Sequence, residues 1–221
     1  MALILNLETA TKNCSVALAR DGVLLAVREV ADAGYAHAER LHVFIEECLA
    51  EASVAFKDLD AIAVSEGPGS YTGLRIGVSA AKGLCYALGK PLIAVPTLEV
   101  LARAANTQTG TIVAMLDARR MEAYTAVFSA DGTQLRETQP EILTPTSFGD
   151  LATPIWLVGD AQAKFRELEP EADFQFCEAI LYPSATNMVT ASFERYQNQK
   201  WVDVAYFEPV YLKEFFLPGK S

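Results

Sequence analysis

Two stretches of this 221-residue chain share one strand–turn–strand pattern, and this repeat constrains the fold more than any other feature. The first reads ILNLETATKNCSVALARDGVLL, and the second reads IVAMLDARRMEAYTAVFSADGTQL. With an offset of 110, Asp21-Gly22 meets Asp131-Gly132, and this dipeptide is typical of a hairpin turn. The repeat predicts two related lobes that each open with antiparallel strands; chance likeness between two hairpins is the alternative.

The remaining pattern predicts an α/β protein. Short apolar runs that fit buried strands alternate with segments of helical periodicity, of which the clearest are 35–52 and 72–88. We expect an N-terminal lobe over residues 1–106 that carries these two helices, and a smaller C-terminal lobe over residues 107–221. Each lobe should be a mixed sheet with flanking helices.

The charge balance limits the partners that this chain can hold alone. It has 18 Lys and Arg against 28 Asp and Glu, which gives a net charge of −10. The one adjacent basic pair is Arg119-Arg120, so we do not expect independent binding of tRNA or DNA, which needs clustered cations. The hydrophobic fraction of 51% excludes a disordered chain.

Neither a membrane span nor an export signal is predicted. The opening MALILNLETA lacks a basic segment, and no run reaches the roughly 18 apolar residues of a spanning helix. The four cysteines are scattered without a CxxC pair, which is typical of a reducing compartment. We therefore expect a cytoplasmic protein.

The segment EGPGSYTGLRIG joins a predicted strand to a predicted helix. Gly67 and Gly69 permit close backbone approach, and Ser70 or Thr72 could cap the helix, so the loop is a candidate phosphate site. It matches neither a Walker A loop nor GxGxxG, and a tight structural turn is the alternative. Glu8 and Asp117, each near the end of a lobe's first strand, could add carboxylates for a metal–nucleotide complex. The alternative to a metal–nucleotide site is that these carboxylates are hydrogen-bonded to nearby backbone or hydroxyl groups.

The helix predicted over 72–88 is unusually apolar. Its polar residues Arg75, Ser79, Lys82 and Tyr86 form one narrow stripe, whereas a surface helix normally has a wide polar face. It must be covered on nearly every side, either by a partner subunit or by another helix of this chain. The two histidines are five residues apart, about 140° around a helix, so they cannot chelate one ion together.

Four segments resemble the bacterial TsaB family, also called YeaZ. They are ILNLETATKNCSVAL, SEGPGSYTGLRIGVSAAKGLCYALGKPLIAVPTLEVLA, MLDARRMEAY and EPVYLK. The resemblance implies the two-lobed actin-like, Hsp70-like ATPase fold (ASKHA), and work in making threonylcarbamoyladenosine in tRNA. It implies dimerisation with a catalytic paralogue, TsaD, a small ATPase partner, TsaE, a homodimer in the absence of TsaD, and contact with tRNA only through the complex.

The resemblance also implies roles for particular residues. The two long helices would form the dimer interface, for which we expect the packing residues Leu41, Ile45, Leu49, Leu74, Val78, Ala81 and Cys85. Thr97 and Leu101 stand where TsaD-like chains carry a metal-binding HxxxH, so a non-catalytic subunit without a metal is expected. The chain departs from many relatives by Glu8 in place of Asp and Ala161 in place of Gly.

Two other functions remain open from the residues alone. One is an independent nucleotide-binding or nucleotide-hydrolysing ATPase that uses Glu8, Asp117 and the glycine loop Gly67, Gly69 and Ser70, with ATP or ADP as its ligand. The other is a peptidase, which the histidine count disfavours.

Overall fold

Strands and helices alternate along the residues that the structure, a computed structural model, describes, which are 1–31 and 37–213. The helices are α1 (His37–Glu51), α2 (Tyr71–Leu88), α3 (Thr97–Arg103), α4 (Gln162–Arg166) and α5 (Ala185–Gln197). The strands are β1 (Leu3–Glu8), β2 (Asn13–Arg20), β3 (Val23–Ala31), β4 (Ala61–Ser65), β5 (Leu92–Val95), β6 (Thr111–Asp117), β7 (Glu122–Ser129), β8 (Gln134–Ile142), β9 (Ile155–Val158) and β10 (Phe174–Phe176). Tyr35 and Ala36, predicted to begin the first helix, lie outside the described residues.

The two sheets have the same topology, as the sequence repeat predicts. The first has the order β3-β2-β1-β4-β5 and the second the order β8-β7-β6-β9-β10. In each, three antiparallel strands are followed by two parallel ones. Glu8 and Asp117 end the equivalent strands β1 and β6. The two hairpin turns also correspond, with Gly22 and Gly132 at φ angles of 79° and 86°.

Both faces of the first sheet are buried. Successive side chains of a strand point to opposite faces, so Leu3, Leu5 and Leu7 pack in one core with α1 and α2. Ile4 points the other way and packs in a second core with Met188 of α5. This double burial explains why β1 and β4 are nearly continuous apolar runs rather than alternating ones.

The C-terminal helix α5 returns to the first lobe, which corrects the boundary expected from the sequence. It contacts β1, β2, β3 and β5 of the first sheet. The face that it covers carries small apolar residues, among them Ala17, Ala61 and Ala63, and such a face must be shielded from water. The second lobe therefore spans the region of the second sheet, 111–176, rather than all of 107–221.

Helix α3 lies between the lobes. Its residues Leu98, Leu101 and Ala102 share a core with the second sheet, and the helix also contacts α5. The other face of the second sheet is covered by α4 and by the segment around Phe148, which packs edge-on against Phe165. The second lobe is thus the smaller one, as predicted. Over the described residues, no helix is long and apolar enough to cross a membrane.

Candidate functional site

The inner side of the glycine loop is packed against the turn between β1 and β2. The amide of Ser70 donates a 2.7 Å hydrogen bond to the carbonyl of Ala10. A Cβ added at Gly69 would lie 2.4 Å from the same oxygen, which explains why glycine is needed there. Ser70 caps α2, as predicted, by accepting a hydrogen bond from the amide of Gly73.

The outer side of the loop is covered by the C-terminal segment of the chain. The amide of Val210 donates a 2.7 Å hydrogen bond to the carbonyl of Glu66. Gly67 has a φ of 116°, and a Cβ on it would lie 2.6 Å from the carbonyl oxygen of Val210. The amide of Gly67 donates a hydrogen bond to Oγ1 of Thr97. Two of the loop amides, those of Gly67 and Ser70, are therefore committed to the protein itself.

Glu8 is fully buried at the end of β1. Its Oε1 accepts hydrogen bonds from the amide of Ala10, at 2.6 Å, and from the hydroxyl of Ser65, at 2.9 Å. Its Oε2 has no hydrogen-bond partner among the described residues. Burial raises the pKa of Glu8 from 4.5 to about 7 against the lowering effect of these hydrogen bonds.

Asp117 belongs to a separate network in the second lobe. It is half exposed, and its Oδ1 accepts hydrogen bonds from the ammonium of Lys164, at 2.6 Å, and from the amide of Arg119. Desolvation would raise the pKa of Asp117, but these hydrogen bonds outweigh it and lower the pKa. Glu8 and the loop are brought together, whereas Asp117 is engaged elsewhere.

The positions that carry the metal ligands in TsaD-like chains are structural here. Thr97 is buried, and its hydroxyl accepts the hydrogen bond from Gly67 while its amide donates to the carbonyl of Gly67. Leu101 is fully buried in the core between α3 and the second sheet. Among the described residues, no three His, Cys, Asp or Glu side chains gather in a way that could hold a metal.

The two histidines are separated in the structure. His37 is buried at the start of α1, with Nε2 2.6 Å from the carbonyl oxygen of Thr11, and His42 is exposed. The hydrogen bond described for His37 goes to a backbone carbonyl, whereas a peptidase of the serine or cysteine class would need a histidine bonded to a nucleophile and a carboxylate.

The seven residues expected to meet a partner are all buried within this chain. Both helices lie on the first sheet, and their most apolar stripes face it, so these side chains belong to its core or pack beside the glycine loop. A partner can therefore contact only the opposite, outer face of each helix. The seven side chains that lie inside are Leu41, Ile45, Leu49, Leu74, Val78, Ala81 and Cys85.

The available face of α2 carries a single exposed charged side chain, that of Arg75. The helix has two charged residues, Arg75 and Lys82, and both are engaged by the C-terminal segment. Lys82 donates to the carbonyls of Ala205 and Phe207, and Arg75 donates to the hydroxyl of Tyr211. What remains outside is small or neutral, namely Thr72, Ile76, Ser79, Ala80, Gly83, Tyr86 and Ala87.

Glycines in α2 separate the inner face from this outer one. A Cβ at Gly77 would lie 2.2 Å from Oγ1 of Thr9, whereas Gly83 has no atom within 4 Å of its Cβ position. Gly77 is therefore explained by packing within the chain. Over residues 1–31 and 37–213, no neighbour explains Gly83, an exposed glycine in the middle of a helix.

The sequence reasoning missed the C-terminal segment as part of this site. Its signal was present in the apolar and aromatic residues after 200, to which no role was assigned. Lys213, at the end of the described segment, donates to the carbonyl of Ala118 and pairs with Glu122, so the segment also joins the first lobe to the second. Residues 214–221 lie outside the described residues.

Comparisons with known proteins identify the family. Residues 31–207 match the family model described as TsaD: tRNA N6-adenosine threonylcarbamoyltransferase. A relative from Escherichia coli (strain K12), named tRNA threonylcarbamoyladenosine biosynthesis protein TsaB, is 32% identical, and the match covers 99% of each chain. A relative of the same name from Bacillus subtilis (strain 168) is 34% identical over 62% of this chain and 60% of its own.

The solved structures agree with this match. YeaZ from Pseudomonas aeruginosa is 30% identical with a TM-score of 0.81, and the match covers 96% of this chain and 100% of that one. An activator of 2-hydroxyisocaproyl-CoA dehydratase from Clostridium difficile, 12% identical with a TM-score of 0.52 over 90% of this chain and 97% of that one, shares the fold alone. The predicted two-lobed actin-like fold and the predicted family are therefore confirmed, and the chain belongs to the TsaB (YeaZ) family.

Proposed function

We propose that this chain is a non-catalytic subunit of the complex that forms threonylcarbamoyladenosine in tRNA, where it binds and activates a TsaD-type catalytic paralogue. The proposal starts from family membership, because full-length relatives are named for the biosynthesis of this modified nucleoside. It is strengthened by the site, which offers no arrangement of described residues suited to catalysis of its own.

One observation carries the non-catalytic part of the proposal. Thr97 and Leu101 occupy the positions of two metal-binding histidines, and both are buried as parts of the core. The hydroxyl of Thr97 is already used to hold Gly67, and Leu101 offers an isobutyl group. These two side chains cannot replace two imidazoles as metal ligands.

The α1–α2 side of the first lobe is the proposed contact with the TsaD-type partner. Its α2 face has one exposed charge, Arg75, and contains Gly83, a residue that lowers helix stability without a packing reason among the described residues. A close-packed helix from a partner would explain a small residue there. The same face would serve a homodimer when the paralogue is absent.

The other partners follow from the same assignment. A TsaE-type small ATPase would join the complex, and tRNA would be bound by the complex rather than by this chain, whose net charge is −10. ATP or ADP binding by this chain itself stays a weaker proposal, because the loop and Glu8 are committed to internal contacts. A cytoplasmic location is proposed because the tRNA substrate resides there.

Complex formation tests the proposal. A charge placed on the interface face of α2 should prevent binding of the partner. Val78→Glu and Ala81→Glu are unsuitable for this purpose, because both side chains lie in the core and the variants would lose their fold. Gly83→Arg is suitable, since its Cβ would meet open space. Ala163→Arg, an exposed helix position in the second lobe, is the matched control.

Calorimetric titration with a purified TsaD-type partner should show strong loss of affinity for Gly83→Arg and wild-type affinity for Ala163→Arg. Wild-type affinity of a folded Gly83→Arg variant would remove α2 from the interface and overturn this part of the proposal.

A further inference from the structure

The segment after α5 runs along α2 as an ordered strap, which we define as residues 202–213. It begins at the edge of the first sheet, where the amide of Val202 donates to the carbonyl of Leu92. Val202, Val204 and Phe207 pack against the core beneath α1 and α2. The strap therefore lies beside the α2 face to which we assign the partner.

The strap engages both charged side chains of α2. Lys82 donates hydrogen bonds of 3.1 and 2.9 Å to two carbonyls of the strap, those of Ala205 and Phe207. Arg75 stays exposed, donates to the hydroxyl of Tyr211 and lies 3.9 Å from the centroid of the Tyr71 ring. Protein interfaces are depleted of lysine and enriched in arginine and tyrosine, and an α2 face with Lys82 engaged and Arg75 exposed has that composition.

Two exposed tyrosines mark the border between α2 and the strap. Tyr86 follows Lys82 by one helical turn and is 87% exposed. Tyr206 stands between the two strap residues whose carbonyls Lys82 binds, and it is 85% exposed. Tyrosine is enriched among the residues that dominate binding energy at interfaces, since it buries a large area and has a polar end.

We propose that the surface that meets the TsaD-type partner continues from α2 onto the strap, with Tyr86 and Tyr206 as its aromatic contacts. This rests on the proposed function, because it extends the interface assigned there. The strap is then part of the partner surface as well as a cover for the glycine loop.

Charge favours the paralogue over a second copy of this chain as the occupant. Helix α1, beside α2, exposes Glu39, Arg40 and Glu46, and the strap exposes Asp203 and Glu208, so carboxylates outnumber cations here. A second copy would bring the same carboxylates and another net charge of −10 to the interface. A partner with basic residues at its rim is attracted instead, and this gives a salt dependence of opposite sign for the two complexes.

The test uses the full-length chain and a purified TsaD-type partner. Tyr206→Ser and Tyr86→Ser remove the aromatic rings at positions where the fold does not depend on them. Ile142→Ser, at a 67% exposed position on the edge strand β8, is the matched control. We expect each tyrosine variant to weaken the complex at least tenfold and the control to leave Kd unchanged.

The outcomes separate this inference from the function on which it rests. If both tyrosine variants bind as wild type does while Gly83→Arg abolishes binding, the strap is not part of the interface and the proposed function stands. If Gly83→Arg also binds normally, the α2 interface fails as well. Raising NaCl should weaken the complex with the paralogue and strengthen the homodimer; the reverse pattern would overturn the preference for a basic partner.

Discussion

The hydroxyl of Ser65 donates a 2.9 Å hydrogen bond to the buried carboxyl of Glu8, and this bond joins the ends of two neighbouring parallel strands. The same carboxyl oxygen holds the amide of Ala10, whose carbonyl in turn holds the amide of Ser70. Glu8 is thus the centre of a chain of hydrogen bonds that fixes the turn after β1 against the glycine loop.

Glu8 should make the stability of the protein fall as pH rises. Because burial raises its pKa from 4.5 to about 7 in the folded state, the folded protein binds more protons than the unfolded one between these values. The stabilisation is complete below about pH 4.5 and is lost as pH rises through 7. Glu8→Gln should therefore be more stable than wild type at pH 8, by up to roughly 3 kcal/mol.

Urea unfolding of both proteins between pH 5 and 8 measures this effect. Burial also raises the pKa of Glu66 and of Asp160, which contribute slopes of the same sign, so the difference between the two proteins isolates Glu8. Parallel pH profiles for wild type and Glu8→Gln would contradict the account.

The two α2 glycines should respond oppositely to alanine. Gly77→Ala places a methyl group 2.2 Å from Oγ1 of Thr9 and displaces the hydrogen bond from that hydroxyl to the carbonyl of Gly73, so we expect destabilisation of about 2 kcal/mol or more. Gly83→Ala meets open space and should stabilise the isolated chain by about 1 kcal/mol. Thermal unfolding compares them, and equal effects would refute the packing described for Gly77.

Thr97 should be needed for its hydroxyl and not for metal binding. Thr97→Val keeps the shape but leaves the buried amide of Gly67 without its partner, which costs roughly 1–3 kcal/mol. Thr97→Ser retains the hydrogen bond and should be less harmful. Urea midpoints measure both, and a Thr97→Val protein as stable as wild type would show that this bond is dispensable.

Lys213 should restrain the turn between β6 and β7. It donates to the carbonyl of Ala118 and pairs with Glu122, so Lys213→Ala should speed amide hydrogen exchange across residues 118–122. Lys200→Ala, an exposed position without a described contact, is the control from the same part of the chain. Mass spectrometry measures the exchange. If the exchange rate of residues 118–122 is unchanged in both variants, the strap does not hold the second lobe.

The sequence predicts most of this fold because apolar runs and turn residues report directly on strands. The Asp-Gly turns locate both hairpins. Strand β8 follows the second of these turns, but it has no apolar run of its own, since its sequence QLRETQPEI is polar and contains Pro140. Proline is tolerated there because β8 is an edge strand.

The orientation of the helices could not be predicted in the same way. Helix α2 is apolar around most of its circumference, so its pattern does not say which side faces the sheet. The covered side is decided by partners distant in sequence, such as Thr9 against Gly77 and the strap against Lys82. For this reason the sequence predicts the two helices but not which of their side chains face the sheet and which face outward.

The central claim is that this chain is required for tRNA modification and catalyses none of it. The most direct measurement follows labelled threonine into unmodified tRNA in a mixture of ATP, threonylcarbamoyl-adenylate, a TsaD-type paralogue and a TsaE-type ATPase, with this chain present or omitted. The account predicts incorporation only when the chain is present together with the paralogue, and none with the chain alone. Equal incorporation without the chain, or incorporation by the chain alone, would contradict it.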